Sequence, residues 1–469
     1  MPFNSILFVL FLIATAALYN ILPRKRRALW LLIVSYLYYF SWSPPQAALL
    51  FAASLAAYAA GLRAADPRPN KAAAATACFA IGILGVLAIF KYSNALALIP
   101  GAPRSWSDLA IPIGISYYTF KLLSYVLDVY WGRIRAEKNF IALAVYASYF
   151  PQILSGPIGR AADFLPALAE ARSPTSDEIV GGIRLILFGW FEKAIVADRL
   201  AAAIDWMRAN PWAAKGWPLL VLVYAYSWRL YADFAGLTDM AIGASRLFAL
   251  PCPPNFSAPF YARNIQEFWL RWHMSLTSWL RDYLFQPLRT ILRPMGDAGL
   301  YTALMATFLV IGLWHGAAVH FLVFGAVNGV YMIVSTMTLG ARNRFFERHP
   351  LPGRSGIGAL TTFHLVGFAM LFFFLPTLGE AFTLLRSLLG PVFVSPRLEE
   401  AWGGTWSLLL LSLSLLVMEA VHLYQCDGAV RRAVDRLPAP ATAFGFYAAI
   451  IALILLFHAP AQSFIYMKF

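Results

Sequence analysis

Thirteen apolar stretches follow one another from residue 6 to residue 457, many of them near the length that a helix needs to cross a bilayer, and this succession decides what the chain can become. They fall at 6–22, 28–42, 47–62, 73–90, 111–131, 140–153, 181–195, 219–231, 300–313, 321–337, 359–378, 407–422 and 443–457. A hydrocarbon core about 30 Å thick takes roughly 20 apolar residues per helical span. With 60% of 469 residues hydrophobic and 13% charged, the chain has material for about ten to thirteen spans and little left for a soluble domain. A transmembrane barrel is excluded, because its strands alternate polar and apolar residues, whereas 6–18 and 443–457 are nearly unbroken apolar runs. The chain reads as one integral-membrane domain over 1–469, with no internal repeat.

The net charge of +14 would suggest nucleic acid in a soluble protein. In a membrane protein it follows the rule that Lys and Arg collect in cytoplasmic loops. Basic clusters stand at Arg24, Lys25, Arg26 and Arg27, at Arg63, Arg68 and Lys71, at Arg133, Arg135 and Lys138, at Arg342, Arg344, Arg348 and Arg354, and at Arg431, Arg432 and Arg436. The connections between them are poor in charge, which predicts the N-terminus outside and the first cluster in the cytoplasm. Residues 6–22 lack a basic leader and a small-residue cleavage site, so they read as a retained span. Cys78, Cys252 and Cys426 are scattered, with no ligand spacing for a metal and no disulfide framework.

Two segments depart from the simple span. The stretch 140–153 ends at Ser155-Gly156-Pro157, a helix break that predicts a bent or re-entrant segment. In 265–283, Ile265, Phe268, Trp269, Trp272, Leu276, Trp279, Leu280 and Tyr283 form the stripe of one amphipathic helix, expected at the cytoplasmic interface.

Ionisable groups inside apolar runs are functional candidates. His315, in Gly312-Leu313-Trp314-His315-Gly316, ends a span between glycines that permit close approach, and imidazole accepts a proton near neutral pH. His273 lies on the apolar side of the amphipathic stripe. Each could equally be a buried structural histidine. Asp233 and Asp239 do not share a helix face, and Asp233 reads as structural, paired with Arg229 or another internal donor. Phosphate-loop, zinc-protease and nucleophile-elbow motifs are missing from the sequence, which weakens nucleotide-driven transport and triad hydrolysis.

Taken together these blocks resemble the membrane-bound O-acyltransferase family, in its bacterial alginate O-acetyltransferase-like branch. The resemblance is carried by IPIGISYYTF at 111–120, YFPQ at 149–152 with SGPI at 155–158, DFAG at 233–236 with Asp239, and Asn255-Phe256 with Pro259. It continues through FWLRWHMS at 268–275, Arg281-Asp282-Tyr283 and Trp314-His315-Gly316. It implies an all-α polytopic fold of about 11–13 transmembrane helices with interfacial and re-entrant helices. It implies His315 as the main catalytic histidine and His273 as the second. Trp314, Gly316, Trp272, Arg271, Ser275, Asp282 and Asn255 follow as substrate-contacting residues from the matching blocks. Two blocks depart from the family: ADFAGLTD at 232–239 lacks two aromatic rings and a hydroxyl of the common pattern, and Ala318-Val319-His320 replaces a more polar run. Both bear on the acceptor rather than on the chemistry.

The expected reaction moves an acyl group, acetyl above others, from a cytosolic thioester (acetyl-CoA or an acyl carrier protein) across the membrane to hydroxyls of an extracytoplasmic polysaccharide. No bound cofactor, metal or nucleic acid is expected. Expected partners are the acceptor, a periplasmic SGNH-type acetyltransferase and membrane lipids, at a multi-pass location in the bacterial inner membrane. The alternatives are D-alanyl transfer to teichoic acid, acylation of a lipid or secreted metabolite, and, in another class, a transporter or flippase.

Overall fold

Prolines and glycines set where the helices begin. In the computed structural model, which describes residue 3 and residues 5–97, 109–154, 156–349 and 353–426 with six residues between 445 and 452, Pro44 and Pro69 open helices Pro44–Ala64 and Pro69–Lys91. Proline's missing N–H costs nothing in a first turn. The stretch expected at 111–131 becomes helix Ile115–Tyr130. It starts late because Gly114 adopts φ +73° against the Ile153 carbonyl, where a Cβ has no room. The apolar segment 443–457 and the basic cluster Arg431, Arg432 and Arg436 lie largely or wholly outside the described residues.

Two compact units emerge, Met1–Gly189 with Leu237–Pro254, and Trp190–Gly236 with Asn255–Phe469. The first is built from helices Ile6–Ile21, Arg24–Phe40, Pro44–Ala64, Pro69–Lys91 and Ile115–Tyr130, followed by a bent segment. That segment is helix Phe140–Ser148, a break at Tyr149 and a short turn Phe150–Ile153, as the Pro and Gly residues around it predict. Arg27 is buried, donating to the Ala171 and Leu22 carbonyls at 2.8 and 3.1 Å. The arginine cluster therefore belongs partly to the packing and not only to the loop.

The second unit holds helices Gly296–His315, Val319–Arg348, Arg354–Phe374 and Thr405–Cys426. One two-stranded antiparallel ladder pairs Ala214 with Val394 and Lys215 with Phe393. The first two of these helices form a tight hairpin. A Cβ at Gly312 would run into the Phe321 carbonyl, and one at Gly325 into that of Phe308; at Gly329 it would lie 2.8 Å from the Met305 sulfur. Gly325 and Gly329 are four apart, the small-residue spacing that lets membrane helices approach closely.

Six helices among the described residues are long and apolar enough to cross a membrane: Pro44–Ala64, Pro69–Lys91, Arg293–His315, Val319–Arg348, Arg354–Phe374 and Thr405–Tyr424. Others fall short of that measure in length, as Ile6–Ile21 does. Leu10, Ile13, Ile81, Leu409 and Leu416 are exposed on such helices, an apolar exterior that suits lipid rather than water. The chain is an all-α polytopic membrane protein.

The apolar stretches 181–195 and 219–231 understate their helices. Helix Ser176–Phe191 continues through a π-helical turn Glu192–Ala197 into Asp198–Ala209, and the other runs over Leu220–Arg246. Their charged residues end an apolar window without ending the helix, because they find partners inside. Buried Lys193 lies 2.7 Å from Asp198 and 2.7 Å from Asp233. Asp233 is thus paired internally, as the sequence reading expects, but the donor is Lys193 and not the first-named Arg229. Spacing favoured the residue four earlier on the same helix, whereas the ion pair is made between helices.

Candidate active site

The stretch read as one amphipathic helix over 265–283 is broken. Helix Ile265–Arg271 ends, Trp272 and His273 form a kink, and helix Met274–Leu280 begins before a π-helical turn Arg281–Phe285. The apolar stripe is unaffected by a kink of two residues, so periodicity could not reveal it.

What makes the kink is a neighbouring strand of chain. Asn255, fully buried, accepts the Met274 N–H at its carbonyl (2.8 Å) and the Ser275 hydroxyl at its side-chain oxygen (2.5 Å), while the Ser257 N–H donates to the Arg271 carbonyl (3.1 Å). Backbone groups freed by the break are thereby satisfied. His273 itself takes φ +43° and ψ +51°, a left-handed conformation that non-glycine residues adopt at a cost of about 1–3 kcal/mol and that clusters at functional sites.

The kink turns the His273 ring inward, where it is 1% exposed. Its centroid stands 4.7 Å from Phe234 edge-to-face and 5.8 Å from the Trp314 indole. Burial pushes this imidazole down from 6.5 to about 3, so it is neutral at physiological pH.

His315 is the last residue of helix Gly296–His315. The chain leaves the helix through Gly316, where a Cβ would stand 2.7 Å from the Phe321 ring, and the turn into helix Val319–Arg348 needs that contact. The His315 ring is buried 4.7 Å from Phe373 and 6.0 Å from Phe324. Beside it, His320 is fixed through Nδ1 to the Phe372 carbonyl at 2.8 Å; that imidazole braces the turn.

His273 and His315 line one small cavity of about 10 Å3, with Trp269, Trp272, Ile311 and Phe373 among its walls. The remaining residues singled out from the sequence take distinct places. Trp272 is part of the wall. Trp314 lies between the two imidazoles, 4.7 Å from the His315 ring. Asn255 and Ser275 hold the kink. Arg271 is drawn away to Glu267 at 2.7 Å, and Asp282, in the π-helical turn, pairs with Arg281 at 2.9 Å; neither lines the cavity. Sequence reasoning missed Phe324, Met370 and Phe373, which line the pocket, and the packing of Phe234 against the His273 ring. Among the described residues no cluster of three or more His, Cys, Asp or Glu side chains could hold a metal ion.

Such a site, two imidazoles in an aromatic-walled space with no Asp, Glu, Lys or Arg on its lining, can exchange a proton with a substrate in a water-poor setting. Comparison with known proteins bears on which substrate. The first of the relatives, from Pseudomonas syringae pv. tomato and named "Probable alginate O-acetylase AlgI", is 34% identical over 347 residues, 71% of this chain and 66% of its own. Its counterpart from Pseudomonas putida is 35% identical over 348 residues, 71% of this chain and 70% of its own. A peptidoglycan O-acetyltransferase of Helicobacter pylori is 27% identical over 395 residues, 77% and 73% of the two chains. The match thus spans about two thirds of the length of the first relative. A sequence profile of the membrane-bound O-acyltransferase family fits residues 133–375, the interval that contains the kink at His273, the turn at His315 and both faces of the cavity between them. By this match and by its kinship with the two Pseudomonas proteins, the chain belongs to the membrane-bound O-acyltransferase family.

Proposed function

We propose that this protein is an O-acetyltransferase which passes an acetyl group from a thioester donor to hydroxyls of an extracytoplasmic polysaccharide. The observation that carries the reading is the placement of His273 and His315 on the wall of one buried cavity. The acetyl group and the polysaccharide are suggested by the names of the relatives, two of which are named as probable alginate O-acetylases and one as a peptidoglycan O-acetyltransferase.

In the proposed step, one ring nitrogen of His315 takes the proton of the acceptor hydroxyl as its oxygen attacks the thioester carbonyl. The new C–O bond forms, the tetrahedral intermediate collapses with cleavage of the C–S bond, and the imidazolium returns the proton to the leaving thiolate. Neutral His273 donates its N–H to the carbonyl oxygen, where negative charge develops. Transfer needs the reacting atoms about 3–3.5 Å apart, which asks the acceptor and the thioester (acetyl-CoA or an acylated carrier protein) to reach the cavity from opposite sides. The inner membrane, with Arg24–Arg27 and Arg133–Lys138 on the cytosolic side, is the location that supplies both. A periplasmic SGNH-type acetyltransferase would receive the group where the polysaccharide lies beyond direct reach.

The test is the O-acetyl content of extracellular polysaccharide from a deletion strain complemented with wild type or with the histidine variants, normalised to protein in the membrane. Acetylation restored by wild type and lost in both variants supports the reading. D-alanyl ester on teichoic acid instead of acetyl ester on polysaccharide would replace it.

A further inference from the structure

A second and much larger cleft lies within the unit that holds the histidines and shares no lining residue with their cavity. It has a volume of about 980 Å3 and opens between helices Val319–Arg348 and Arg354–Phe374, with the start of helix Ile265–Arg271 at its side.

One end is cationic. Arg342 lies in the last turns of the first helix and Arg354 opens the second. Arg263 joins them: its carbonyl stands 2.6 Å from where a Cβ on Gly358, one turn after Arg354, would be. Neither aspartate nor glutamate lines the cleft. Arg342 is steadied by neutral oxygens, the Ser335 carbonyl and hydroxyl at 3.2 and 3.3 Å. The Arg354 guanidinium rests 3.9 Å over the Phe346 ring. The nearby carboxylate of Glu267 is shared between Arg263 at 3.0 Å and Arg271 at 2.7 Å, so Arg342 and Arg354, rather than Arg263, carry the positive charge of this end.

The walls away from the arginines are apolar, with Val330 and Val334 on one helix and Leu365 on the other. Val330 precedes Arg342 by three turns and Leu365 follows Arg354 by three, which at 1.5 Å per residue is about 16–18 Å. That is close to one leaflet of a hydrocarbon core about 30 Å thick, and both helices are among those long and apolar enough to cross a membrane. Basic pockets between membrane helices suit anionic headgroups, and a trough of leaflet length suits an acyl chain.

We propose that this cleft binds an anionic phospholipid, with its phosphate between Arg342 and Arg354 and an acyl chain along Val330, Val334 and Leu365. The full-length protein, stripped of lipid in detergent micelles, would be titrated with phosphatidylglycerol and with phosphatidylethanolamine and the bound lipid counted by native mass spectrometry. Phosphatidylglycerol is expected to bind more tightly. Arg342→Gln with Arg354→Gln should weaken it about 25-fold, from about fivefold per arginine near an anionic surface, and leave phosphatidylethanolamine unchanged. The paired Lys substitutions keep the charge and should retain most of the binding, which separates charge from misfolding. Val334→Trp fills the trough and should expel the lipid with the arginines intact. Equal binding of the two lipids, or wild-type affinity in the paired Gln variant, overturns the proposal. Displacement of the lipid by coenzyme A also overturns it, because the cleft would then serve a phosphate-bearing donor. The readout is bound lipid, so it stands or falls independently of the acetyl-transfer reading.

Discussion

The His273 ring packs 5.8 Å from the indole of Trp314, whose own chain neighbour is His315. The two imidazoles are thus positioned through one aromatic side chain, although they come from elements with unrelated constraints: a kink braced by Asn255 and the end of a long helix.

Replacing His315 by Asn should keep the fold, since the amide fits the same space beside Phe373, but an amide does not accept a proton at neutral pH. General-base catalysis is worth about 10²–10⁴-fold, so acetyl transfer should fall by that order at unchanged membrane abundance. Acetyl content of the acceptor per unit of protein measures it; near-normal transfer would exclude His315 as the base.

The backbone at residue 273 makes a separate prediction. Asn tolerates the left-handed region whereas a β-branched residue does not. His273→Asn should therefore purify with a melting temperature near wild type, and His273→Val should melt lower by the equivalent of about 1–3 kcal/mol. Equal melting of the two would mean the kink relaxes without its histidine.

Acid should act through the same ring. Its folded value, about 3, lies below the ordinary 6.5, so neutral His273 contributes fully above pH 6.5, and its contribution shrinks as pH falls from 6.5 towards 3, where unfolding gains protons. Thermal midpoints of wild type should drop more steeply across that window than those of His273→Asn. Parallel curves would contradict the neutral, buried ring.

Lys193 stands between two carboxylates, at 2.7 Å from each. Removing one partner of a buried ionic group costs about 3–5 kcal/mol, so Lys193→Met should sharply lower the amount of folded protein. Asp198→Asn with Asp233→Asn in that background should recover part of it. Arg229→Gln should cost less than Lys193→Met, and the reverse order would restore Arg229 as the partner of Asp233.

Gly312→Ala drives a Cβ into the Phe321 carbonyl. Overpacking of this kind costs about 1–3 kcal/mol and, three residues before His315, displaces the ring from the cavity. Stability and acetylation should fall together, whereas Gly82→Ala, with open space around it, should change neither.

The helices were legible in the sequence because hydropathy reports burial in lipid directly, and the two histidines because ionisable groups are rare in apolar runs. Partnering was not legible. Lys193 sits inside a stretch read as apolar, and nothing in its own neighbourhood tells that Asp233 on another helix will face it. The kink at Trp272 and His273 escaped for a related reason: its cause is Asn255, eighteen residues away, while the local pattern still reads as a continuous helix. Phe324 and Phe373 are among 36 phenylalanines, and no periodicity separates a ring that walls the histidine cavity from one that faces lipid.

A cavity of about 10 Å3 is near the least that admits a single water. For the proposed reaction, an acetyl thioester and a sugar hydroxyl would enter it only once the walls part, so each turnover would include a breathing motion. Met370 on the lining, unbranched and with three rotatable bonds, is the kind of side chain that can swing aside. The same tightness protects the chemistry. In the proposed reaction, a thioester that met His315 only after an acceptor had wedged the site open would be shielded from wasteful hydrolysis, and use of the activated donor would be tied to the arrival of something to modify.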